Sequence, residues 1–135
     1  MLAQLAQVLS QKADLGVRTR ALYQAADKSG MRQLISDYDQ CIADTETFLC
    51  VFRDNWMTEN KPHGFEIQEI RIGGTIQRLR SCRERLAQWC DQDIPVPELA
   101  EQALDLQGGG TEFTRRHFRY PRWEQMVSPN VVCIP

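Results

Sequence analysis

Two histidines, His63 and His117, and five cysteines, Cys41, Cys50, Cys82, Cys90 and Cys133, are the side chains with which this sequence would bind a metal or attack a substrate. A metal needs several such groups converging, and the sequence does not bring them together at ligand spacings. No metal and no cofactor is expected. A cysteine nucleophile needs a histidine and an orienting group beside it, and no local signature of that kind is present. The cysteines therefore read as small core hydrophobes in a reducing compartment. Gly108-Gly109-Gly110 belongs to no phosphate-cradling G-x-x-x-x-G-K motif and reads as a flexible joint.

Three other constellations carry polar chemistry. Arg71, Arg78 and Arg85 recur every seven residues with Arg80 and Arg83 beside them, a cationic helix side suited to an anion or a nucleic acid. The opposing reading is a solvated or acid-paired face served by Glu66, Glu69 and Glu84, and the near-neutral total charge favours it. Arg115 to Trp123 interleaves bases with aromatics, as single-strand binders do, but a tail docked on a neighbouring domain explains it better. Between Glu59 and Glu66, carboxylates, Asn60, Lys61 and His63 crowd one turn around Pro62, Gly64 and Phe65. Such loops often line a site, although on composition alone a polar surface turn that stops a helix is the better account.

The elements that must position these groups follow from periodicity. In 135 residues, 42% of them hydrophobic, there is material for one domain with a modest core. Sixteen basic against 18 acidic residues leave a net charge of −2, no field with which to hold a polyanion or an anionic membrane. No segment approaches the ~18 apolar residues of a membrane span, and the opening ten residues lack the pattern of a signal peptide. A cytoplasmic protein with neither nucleic-acid nor membrane partners is the expectation.

A first helix is expected from Met1 to about Lys28, its stripe of Leu5, Val8, Leu15 and Leu22 widened by Leu2, Leu9 and Ala13. Ser29-Gly30 is expected to break the chain before a second helix from Met31 to about Trp56, with apolar steps through Leu34, Tyr38, Cys41, Phe48, Phe52 and Trp56. Pro62 and Gly64 make a connector. A third helix, roughly Ile67 to Cys90, carries Ile72, Ile76, Leu79 and Leu86, and its Gly73-Gly74 predicts a near contact with another backbone. Pro97 opens a short fourth helix to about Leu106. The fold class expected is all-α: an antiparallel bundle of three main helices, a short fourth helix and an irregular C-terminal tail, with residues 1–106 as the helical domain and 107–135 as joint and tail.

An ordered set of short motifs resembles one known family. Ala13 to Arg20, Phe52 to Trp56, Glu59 to Phe65, Ile70 to Gly74, Arg78 to Leu86, Ile94-Pro95 and Pro97 to Leu99 together look like the C-terminal helical region of bacterial β-N-acetylhexosaminidases of glycoside hydrolase family 20, over roughly residues 1 to 106. The resemblance implies a helical region that follows a (β/α)₈ catalytic barrel, packs on it in cis or in trans, and in some members joins a homodimer contact near the active site. It also implies substrate-assisted removal of terminal N-acetylhexosamine, for which the family uses an adjacent Asp-Glu pair.

This sequence contains no Asp-Glu dipeptide and is shorter than the ~200 or more residues a barrel requires, so no catalytic residue is assigned to it. Under the resemblance, Asn60, Lys61, His63 and Glu66 border a substrate site or interface, and Trp56, Gly73, Gly74, Arg71 and Arg78 are contact residues. A stand-alone helical protein-interaction module is the alternative.

Overall fold

The computed structural model describes residues 1–101. They form four helices, α1 (Leu2–Gln24), α2 (Lys28–Glu59), α3 (Phe65–Gln92) and the single turn α4 (Pro97–Ala100), with no strand among the described residues. The expected all-α arrangement of three main helices and a short fourth is the one observed. Glu101 is extended at φ −68° and ψ 155°, so α4 closes after one turn. The positions expected to carry it on to Leu106, the tail from 107 to 135 and Cys133 lie outside the described residues.

The first break falls earlier than the Ser29-Gly30 expectation. Ala26 takes a left-handed conformation (φ 52°), and Asp27 then caps α2 by accepting the Gly30 N–H at 2.9 Å, placing Ser29 and Gly30 inside the helix. The aspartate satisfies an amide that the first helical turn leaves without a partner, and that outweighs glycine's weak helix propensity. Gly30 has a steric reason as well. A Cβ there would stand 2.5 Å from Asp27 Oδ2 and 2.7 Å from Leu22 Cδ2, so the capping carboxylate and the leucine would both have to shift to admit one.

The core is one cluster in which Leu15 of α1, Met31, Leu34, Tyr38 and Cys41 of α2, and Ile76, Leu79, Leu86 and Trp89 of α3 are buried together with Val96. The helix α2 is the common neighbour. It packs along both α1 and α3, whereas no Cα of α1 lies within 8 Å of one of α3. Side chains span that gap: the rings of Tyr23 and Trp89 sit 4.8 Å apart, and the Tyr23 hydroxyl accepts the Val96 N–H at 3.0 Å. Thr19, on the inner face of α1, donates to the Leu15 carbonyl at 2.7 Å and meets the Tyr38 hydroxyl at 2.9 Å, so a buried polar pair is satisfied within the core. Burial pushes the Tyr38 hydroxyl and the Cys41 and Cys90 thiols above their ordinary pKa values.

Two expectations about packing are corrected. Leu2, Leu9 and Ala13 do not widen the buried stripe of α1; they are exposed on its other side, and Thr19 holds an interior position instead. Gly73 and Gly74 have no atom within 4 Å of where a Cβ would be, so among the described residues no backbone approaches them.

Candidate functional site

The turn between α2 and α3 is held from beneath by aromatic rings. Phe52, Trp56 and Phe65 meet with centroids 5.5–6.2 Å apart, and Phe65 is 1% exposed. These rings fall on one side because Phe52 and Trp56 are four residues apart on α2 and Phe65 opens α3. Trp56 then serves twice, as an apolar wall and as a donor: its Nε1 donates to the Lys61 carbonyl at 2.9 Å. Asn60 leaves the helix in an extended conformation (φ −129°, ψ 165°) while its N–H still bonds the Trp56 carbonyl at 2.8 Å. Pro62 accepts the Phe65 N–H at 3.2 Å, and Gly64 turns the chain at φ 96°, a left-handed angle that suits glycine.

Within this frame the four residues singled out for the turn divide. Asn60, Lys61 and His63 are exposed at its rim. Glu66 points back: one carboxylate oxygen accepts the Gly64 N–H at 2.7 Å and ties the turn to the first helical residues. The negative group beside the helix N-terminus also matches the dipole there. A rim with an amide, an ammonium and an imidazole can donate and accept hydrogen bonds to hydroxyl-rich or amide-bearing molecules, and the aromatic floor holds that rim in one shape.

Of the contact residues named with the turn, Trp56 lies beneath it and the others do not gather around it. Arg71, Gly73 and Gly74 lie one to three turns further along α3. Arg78 is 12 residues beyond Glu66, about 18 Å along the helix axis. There it edges a half-open groove of about 220 Å³ walled by Tyr38, Cys82, Leu86, Val96 and Leu99.

The arginine face takes up acids, but different ones from those its own helix offers. Arg80 pairs with Glu46, Arg83 reaches Asp39 at 2.9 Å, and Arg85 grips Glu98 with two bonds, one of 2.9 Å. Glu46 and Asp39 stand on α2 and Glu98 on α4, so the ladder stitches helices together where Glu69 and Glu84 would have paired along one. Exposed pairs of this kind each add little stability. Arg85 draws the Glu98 carboxyl down to about 2.

Arg20, which sequence reasoning did not single out, donates to the carbonyls of Glu98 at 3.3 Å, Leu99 at 3.4 Å and, more closely, Glu101. It fastens α4 to the end of α1. An arginine next to an apolar stripe gives no hint of such a task until the chain beyond Pro97 is seen to return to it.

Residues 1–117 match the model of the family described as the Glycoside Hydrolase 20C C-terminal domain. The chain belongs to that family. The glycoside hydrolase 20C C-terminal domain is thus what the three helices, the rigid turn and the α4 clamp build, in keeping with the resemblance carried by the sequence motifs. No curated protein matches the chain. Among the described residues no helix is long and apolar enough to cross a membrane, and no three His, Cys, Asp or Glu side chains gather where a metal ion would bind.

Proposed function

We propose that this domain is a non-catalytic assembly part of a β-N-acetylhexosaminidase, seated on a (β/α)₈ barrel that carries the chemistry, and that it supports a homodimer in which the α2–α3 turn borders a sugar site. The observation that carries this reading is the turn itself. Its aromatic floor and its Trp56–Lys61 bond hold Asn60, Lys61 and His63 outward on a fixed frame, an arrangement a mere helix stop does not need. Membership of a C-terminal domain family of glycoside hydrolases supports a catalytic partner in cis. Glu66 serves as the support of the rim, and Trp56 as its floor. Arg71, Gly73, Gly74 and Arg78 are contact residues further along α3, and the assembly works in the cytoplasm.

The test uses a β-N-acetylhexosaminidase that carries this domain. Alanine at Asn60 and His63 should lower kcat/KM on a chromogenic N-acetylglucosaminide by about five- to thirtyfold, the loss of one to two rim hydrogen bonds at about 1 kcal/mol each, without lowering the melting temperature. Unchanged kinetics would remove the rim from the sugar site. The mass in solution, from light scattering, tests the dimer separately.

A further inference from the structure

The helix α1 carries two seams. The inner one, through Leu5, Val8, Leu15, Thr19 and Leu22, turns to the core. The outer one runs through Leu2, Ala6, Leu9, Ala13 and Gly16 in steps of four, three, four and three, with Val17 alongside, and it is bare of charge. All six are exposed, Leu2 and Val17 at 73% and Leu9 at 55%. The seam ends at Arg20, whose guanidinium is committed to the α4 carbonyls. The seam's charged neighbours are Lys12 on the flank toward the inner seam and Asp14 and Arg18 on the other, Arg18 paired across to Asp37 on α2. Leucines alternating with alanine at this spacing make a ridge against which another helix packs, and at its C-terminal end Gly16 opens onto the groove that Arg78 edges.

The size of the face indicates its occupant. From Leu2 to Val17 it is about 22 Å long and one helix wide, roughly 200–400 Å², well below the ~800 Å² per partner of a stable complex between separate molecules. A second copy docking through this face alone would not stay bound. A domain tethered to the same chain faces an effective concentration near millimolar, and interfaces within a chain begin near 600 Å² in total, both sides counted. A (β/α)₈ barrel presents an outer ring of helices. We propose that the outer seam of α1 is the surface that receives an outer helix of the catalytic barrel. This rests on the reading that the domain packs on such a barrel, and it names the element by which it does so.

The test pairs two backgrounds. In the isolated chain, Leu9→Glu and Val17→Glu should each leave the melting temperature within about 2 °C, because both side chains already face water. In a full-length enzyme carrying this domain, the same substitutions should split a shared unfolding transition in calorimetry and bring the domain's own transition down to that of the isolated chain, while Leu9→Met retains the single transition. A lowered melting temperature in the isolated Leu9→Glu chain overturns the proposal, since the chain itself would then be covering the face. So does an isolated chain that is a dimer by light scattering and becomes a monomer with Leu9→Glu. If the full-length transition ignores both substitutions while deletion of the whole domain destabilises the barrel, the domain packs by another surface and only this inference falls. If barrel and domain unfold independently in the unsubstituted enzyme, the packing reading itself is lost.

Discussion

Glycine to alanine has opposite consequences at two places in this chain. At Gly30 a methyl group runs into the Asp27 carboxylate and Leu22, both within 3 Å, and disturbs the cap of α2. Overpacking and a weakened cap cost about 1–3 kcal/mol, against about 1 kcal/mol gained in helix propensity, so Gly30→Ala should lower the melting temperature by several degrees. At Gly74, exposed and with nothing near, only the propensity acts, and Gly74→Ala should raise the stability of the isolated chain by about 1 kcal/mol. Thermal unfolding of the two variants checks both signs; a stabilised Gly30→Ala would remove the steric account. The sequence shows the glycines but not their neighbours, which is why Gly30 reads there as a breaker and Gly73-Gly74 as a close contact. Asp27 was the legible signal for the α2 start, since aspartate is among the residues favoured at a helix N-cap.

At the scale of elements, α4 depends on others. A four-residue helix does not hold itself, and this one is held by Arg20 on its carbonyls, by Arg85 on Glu98, and by Val96 and Leu99 against the core. The Glu98 carboxyl, lowered from 4.5 to about 2 by Arg85, favours the folded state most where it is ionised in both folded and unfolded chains. That contribution is fully present above pH 4.5 and is lost as pH falls through about 2. NMR titration of Glu98 should give a midpoint near 2, and Arg85→Gln should return it toward 4.5; a midpoint unmoved by that substitution would mean the pair does not form in solution. The partner of Arg85 was hidden in the sequence because Glu98 lies 13 residues away, beyond the end of α3 and the Pro95-Val96-Pro97 stretch, whereas Glu69 and Glu84 are in the helix already in view. The helices themselves were legible, since stripes at three- and four-residue steps need only local spacing. The inward stripe of α1 through Leu5, Val8, Leu15 and Leu22 was legible too, but not where it ends, because Leu2 and Leu9 beside it are as apolar as Leu5 and Val8.

For the molecule as a whole, the aromatic turn and the arginine ladder lie on the α2–α3 hairpin, while the unpartnered seam and the α4 clamp lie on α1. The rim residues were found in the sequence by their polar density around Pro62 and Gly64, but the frame beneath them needed the fold, since nothing in the spacing of Trp56 and Lys61 announces a bond between them.

The position of α2 between two helices whose backbones do not meet also sets how the domain opens in time. Each hairpin is made of neighbours in sequence, so either can form quickly and locally, while α1 stays tied to α3 through the Tyr23–Trp89 rings and to α4 through Arg20. Amides in the middle of α2, around Leu34 to Ile42, are sheltered from both sides and should exchange with deuterium only through global unfolding, while those of the first turns of α1 exchange through local fraying. Equal protection in α1 and α2 would mean that the helices open as one, and that a companion domain could not loosen α1 without melting the rest.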